Sequence, residues 1–199
     1  MTRKVERAKD VSSFVVNLDY EFIADASEHK RFHDRVFKLR QIKVHNRDGS
    51  DYKPGIEALR ELIMARADID TIFENPDDLT TAIKKSGGNI RDLFFFLRNA
   101  ALNALGFDSN IITTEDLEIA YTEKKSMFKD MIKGSYMDVL FHVMNDQTKD
   151  TAVAEINDTD LLMELFTTGM LVEYNGEGWY DVHPLMKEIL ERRKKTTII

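Results

Sequence analysis

Residues 86–93 read Ser-Gly-Gly-Asn-Ile-Arg-Asp-Leu. Two consecutive glycines allow a close backbone approach and conformations that other residues avoid. Asn89 is a helix-capping residue, which puts Arg91 in the first turn of the helix that it opens. A cation there opposes the helix dipole, at a cost of about 0.3–1 kcal/mol unless an anion comes to it. A nucleotide phosphate is such an anion, and a planar guanidinium meets it with parallel N–H groups. The plainer role for Arg91 is a pair with Asp92 or another carboxylate, and the spacing alone does not choose between the two.

Little else in the chain has the makings of chemistry. With no Cys there are no disulfides, thiolate zinc sites or cysteine nucleophiles. The five His (His29, His33, His45, His142 and His183) are scattered. His29 and His33 have helical i, i+4 spacing, but no carboxylate cluster accompanies them, so no metal site is expected. His142 reads as a core or edge residue. His183 precedes Pro184 at a strand–helix junction, where a structural hydrogen bond is expected. No Ser–His–Asp constellation can be assembled. The phosphate-cradling pattern G-x-x-x-x-G-K-[ST] does not occur.

The elements that must position Arg91 follow from periodicity and turn signals. Residues 13–19, SFVVNLD, are a short β-branched run of the kind buried in parallel sheets. A helix-like stretch at 20–34 and a second strand at 35–44 come next. Asn46 to Pro54 is a turn-rich break. Beyond it Ile56, Leu59, Leu62, Ile63 and Ala67 recur at helical spacing. Asn75-Pro76-Asp77-Asp78 opens a helix that stops at Ser86-Gly87-Gly88. The helix after Asn89 is expected to turn Ile90, Leu93, Phe94, Leu97, Ala101 and Leu105 inward and to end on Gly106 in the left-handed conformation. Thr113 with Asp116 forms a capping-box pattern. Residues 136–144 and 158–168 read as helices, and Gly169 ends the second. Two alternating strands, 171–174 and 179–182, flank Asn175-Gly176, a strong hairpin signal; Trp179 is expected in the core. Pro184 starts a last helix. Helix, helix, hairpin, helix is the plan of a winged-helix domain.

The 199 residues carry 28 Lys+Arg against 35 Asp+Glu, for a net charge of −7. At roughly 150 residues per domain this is one domain or two small ones. The charge is uneven. Residues 28–47 hold seven basic and two acidic residues, while 134–190 hold two basic and eleven acidic ones. The helix at 158–168 carries Asp158, Asp160 and Glu164 and no cation, so it would repel a polyanion. Only the tail, with Arg192, Arg193, Lys194 and Lys195, is basic there. DNA binding is therefore disfavoured. No apolar run is long enough to span a bilayer, the charged N-terminus is unlike a signal peptide, and a cytoplasmic location is expected.

The segment SGGNIRDL resembles the second sensor of AAA+ and related STAND ATPases, in which a small-residue turn precedes an Arg at the start of a lid helix. The resemblance extends over roughly residues 10–190 in family order. Residues 13–19 resemble the first-sensor strand, with Asn17 or Asp19 at its polar tip. FVVNLDYE also has the look of a Walker B strand, but the helix–strand–lid order downstream of it fits the first sensor better. The resemblance implies a mainly α chain in three parts: 1–50 as the end of an α/β core, 51–133 as a helical lid and 134–199 as a winged helix. It implies nucleotide contacts from Arg91, Gly87, Gly88, Asn89 and Asn17, and an arginine finger at Arg31 or Arg35 acting on a neighbouring subunit; the plainer role for those two is a surface pair with Asp34 or Glu28. ATP with magnesium is implied for a full-length parent, and none for this chain, which lacks the phosphate loop. The expected function is that of a regulatory C-terminal region that couples nucleotide state to a protein partner or to other subunits. The alternative is a nucleotide-independent winged-helix adaptor or DNA-associated protein.

Overall fold

A computed structural model describes residues 14–16, 36–38, 41–145, 153, 156, 158–174 and 179–197. Asn17, His29, Arg31, His33 and Arg35, and the hairpin turn at 175–178, lie outside the described residues. The architecture is mainly helical with small two-stranded sheets. Near the N-terminus β1 (Phe14–Val16) pairs in parallel with β2 (Val36–Lys38), Phe14 opposite Val36.

The helices begin where the side chains can satisfy backbone donors. Pro54 opens α1 (Lys53–Met64), which buries Ile56, Leu59 and Ile63 at helical spacing. After the single turn of α2 (Ile69–Ile72), Asn75 accepts the backbone N–H of Asp77, and α3 (Asp77–Lys85) begins with two acids and ends with two lysines, both suited to the helix dipole. The side chain of Asn89 accepts the N–H groups of Arg91 and Asp92 to start α4 (Ile90–Gly106). Thr113 and Asp116 form the expected reciprocal capping box of α5 (Thr114–Met131). Residues 41–46 lie beside these helices rather than apart from them, with Val44 buried.

The last third contains α6 (Gly134–Asn145), α7 (Thr159–Thr167), an antiparallel pair β3 (Leu171–Glu173) and β4 (Tyr180–Val182), and α8 (Pro184–Thr197). Asp158 caps α7, and Gly169 ends it at φ +74°. Residue 41 joins this sheet: the Gln41 N–H donates to the Glu173 carbonyl at 3.0 Å, and Gln41 bridges in parallel to Tyr174. Trp179 is fully buried against Val172 and Tyr174.

Two expectations need correction. Helix α4 buries Leu93, Phe96, Ala100 and Ala104, whereas Ile90, Phe94 and Leu105 are exposed and Leu97 and Ala101 are half-buried. The run of three phenylalanines makes α4 apolar on most of its circumference, so periodicity could not choose its inward face. Gly106 is helical, and Asp108 takes the left-handed position at φ +56°; Asp is among the residues that tolerate it. Of the two places expected for it, core or edge, His142 is not in the core: it is exposed.

The helical bundle and the last third share one apolar core. Leu59, Leu79, Leu93 and Phe128 from the bundle belong to the same buried cluster as Leu140, Leu165, Val182 and Leu185. The glycine turn between α3 and α4 lies where the two meet, with Gly87 against Pro184.

Candidate functional site

The turn between α3 and α4 is wound by its own polar groups. Ser86 Oγ donates to the Ile83 carbonyl at 2.7 Å and accepts the Gly88 N–H at 3.2 Å. The Gly87 N–H donates to the Lys84 carbonyl, and the Asn89 N–H to that of Ser86. Gly87 and Gly88 both have positive φ, at +60° and +78°. A Cβ on Gly88 would stand 1.7 Å from the Ile42 carbonyl oxygen, and one on Gly87 would stand 2.8 Å from Pro184 Cδ. The glycines are where residue 42 and the start of α8 approach the bundle. Their close neighbours and hydrogen bonds all come from the chain itself.

Consecutive residues of α4 then point in different directions, because successive side chains of a helix stand about 100° apart. Arg91 is exposed, and among the described residues no carboxylate lies within ion-pair distance of it. Asp92 is buried. Its Oδ1 accepts from Lys124 Nζ of α5 at 2.8 Å, and its Oδ2 lies 3.2 Å from His183 Nε2. Burial alone would raise the carboxyl pKa; the N–H of His183 and the charge of Lys124 hold it below the usual range.

His183 is fully buried and occupies the residue before α8. Its backbone N–H donates to the Met170 carbonyl at 2.9 Å, and its Nδ1 accepts the N–H of Leu185 at 3.2 Å. The imidazole therefore serves as the N-cap of α8, a task that needs a lone pair on Nδ1 and leaves the ring proton on Nε2, facing Asp92. The ring makes a T-shaped contact with Phe128 at 5.1 Å between centroids. Burial drives its pKa below the ordinary histidine value, against the opposing pull of Asp92.

Two further ion clusters brace the same junction. Glu188 of α8 pairs with Lys85 at the end of α3, and with Lys125 of α5 at 3.1 Å. Asp181 of β4 is fully buried and binds Lys187 Nζ at 2.6 Å and His45 Nε2 at 2.9 Å. The His45 ring packs edge-on against Tyr174 and Trp179. Residues 41–46, the bundle and the last third are thus joined by polar side-chain contacts as well as by apolar packing.

Among the nucleotide-contact residues that the sequence suggests, the structure brings Gly87, Gly88, Asn89 and Arg91 into one turn. The N–H groups of Gly87, Gly88 and Asn89 are engaged within the chain, and the Asn89 carboxamide oxygen is used in capping. The guanidinium of Arg91 is what this turn offers to an anion. These residues form no cradle for a triphosphate, and no catalytic step is assigned to them. Among the described residues no group of three or more His, Asp and Glu could hold a metal, and no helix is long and apolar enough to cross a membrane. The residues that sequence reasoning passes over are Asp92 as a buried anchor, Lys124, Asp181 and His45. The His183-Pro184 pair at a strand–helix junction is the one local signal, since it points to a capping histidine but not to its carboxylate.

No family model, curated protein or solved structure matches this chain.

Proposed function

We propose that this chain is a regulatory region of the AAA+/STAND type, a helical lid followed by a winged helix, that passes the nucleotide state of an adjoining ATP-binding core to a protein partner. The observation that carries this reading is the division of labour in the first turn of α4. Arg91 points outward with no carboxylate partner among the described residues, while Asp92 is held by Lys124 and its Oδ2 lies 3.2 Å from His183 Nε2 at the start of α8. An anion drawn to Arg91 would pull on a helix end already joined to the last module. The helix, helix, paired strands and helix described in order within residues 134–197 support the winged-helix part. The acidic residues Asp158 and Asp160 at the start of α7 are exposed, which favours a protein partner over DNA.

The engaged donors of the glycine turn favour a second reading, in which the bundle is a nucleotide-independent scaffold for an adaptor. The two separate on one substitution, Arg91→Ala, made in a protein that joins this chain to a P-loop core. Losing a charge-assisted contact of about 1.5–3 kcal/mol should cut ATP turnover at least about tenfold. Unchanged turnover would leave the scaffold reading standing.

A further inference from the structure

We infer that His183 is an acid-sensitive latch, whose uptake of a second proton releases α8 and the hairpin from the helical bundle. The device needs no nucleotide and is independent of what Arg91 meets.

The groups facing the imidazole define what a second proton would do. From α4 comes Asp92, and from α5 come Lys124 and the ring of Phe128. The Ser86 carbonyl faces the ring from the glycine turn. On the ring's own helix, Lys187 is directed to Asp181 and Glu188 to Lys85 and Lys125. The negative charge next to the ring among the described residues, Asp92, is already balanced by Lys124 Nζ at 2.8 Å. A protonated His183 would leave this trio with a net positive charge at a position with 0% exposure. Removing an uncompensated charge from water is strongly unfavourable.

Geometry adds a second penalty. The free position for the proton is Nδ1, which accepts the Leu185 N–H. Protonation there turns the acceptor into a donor aimed at a donor, and α8 loses its cap. It also places a cation at the positive end of that helix.

The sign follows from burial, which sets the folded value of His183 below the ordinary one. Above pH of about 6.5 the ring is neutral in folded and unfolded chains alike, and the latch is closed. As pH falls below about 6.5 the unfolded chain binds a proton that the folded chain resists, so stability is lost through that window. Asp92 and Glu188, both held below the usual carboxylate range, stay ionised there and cannot cause the change.

The test is amide hydrogen exchange on the whole chain at about pH 7.5 and about pH 5.5, corrected for intrinsic rates, with an NMR titration of the imidazole nitrogens. Over that interval, residues 185–190 should lose about tenfold more protection than residues 93–100, the factor by which proton binding changes over one pH unit below the unfolded pKa. His183→Asn keeps an N-cap acceptor and removes the titrating group, so protection of α8 should no longer respond to acid in this range. Equal loss in the two segments, no loss in either, or an unaltered acid response in H183N would each overturn the latch. The wild-type titration covers the case of a variant that does not fold: a midpoint for His183 at or above the usual value of about 6.5 would also overturn it.

Discussion

Helix α4 has two sides that treat polar and apolar groups in opposite ways. On the inner side Leu93, Phe96 and Ala100 are fully buried, and Asp92 is paired with Lys124 and faces His183. On the outer side Ile90, Phe94 and Leu105 are exposed, and Arg91 stands among them without a carboxylate partner among the described residues. The inner side is turned to its own chain, with Asp92 Oδ1 held by Lys124 and Oδ2 lying 3.2 Å from His183 Nε2. The outer side is unsatisfied and contributes little to holding the fold. At the boundary between residues 91 and 92, a single step along the chain separates a presented group from a structural one.

The largest expected effect is on the inner side. Asp92→Ala strands Lys124 and removes the carboxylate beside His183, and breaking a buried pair costs about 3–5 kcal/mol. Urea unfolding measures it; a loss below about 1 kcal/mol would show that the junction is held by apolar packing alone. Gly88→Ala comes next. Its Cβ would collide with the Ile42 carbonyl at 1.7 Å, and its φ is +78°, so the cost should reach about 1–3 kcal/mol or more. A neutral result would mean that residues 41–44 can leave the bundle freely.

The outer side should respond weakly, and in one place with the opposite sign. Gly106→Ala lies in the last turn of α4, where an added Cβ would meet nothing within 4 Å. Its better helix propensity should stabilise the chain by up to about 1 kcal/mol, read as a higher urea midpoint. The smallest effect belongs to Arg91→Ala, which should change the stability of this chain by less than about 0.5 kcal/mol. A loss of about 2 kcal/mol would make Arg91 part of the fold and erase the contrast with Asp92.

Local signals in the sequence are legible where their partners are also local. Asn89 caps the backbone two and three residues on, Thr113 and Asp116 close a capping box, and Gly169 ends α7. The expected hairpin has its strands at Leu171–Glu173 and Tyr180–Val182, and Trp179 is in the core. The inner face of α4 is not legible. Its buried positions are rotated from the expected stripe, because apolar residues on both sides make either face suitable for burial. The candidate site is legible in part. The glycine turn and Arg91 stand out by residue type, whereas the pairing of Asp92 with Lys124 and His183 spans long stretches of chain, 32 positions in the case of Lys124.

By itself, then, the amino-acid sequence determined the capped starts of α4 and α5, the glycine stops at Gly87-Gly88 and Gly169, and the place where a cation would stand in a first turn. Those depend on side chains reaching backbone groups a few residues away, so the partners are set by spacing. Only the tertiary structure decided that the glycines accommodate Ile42 and Pro184, that a histidine caps α8, and that Asp92 rather than Arg91 is the tied residue. Those outcomes depend on which surfaces meet, and burial chooses among faces that composition leaves equally suitable.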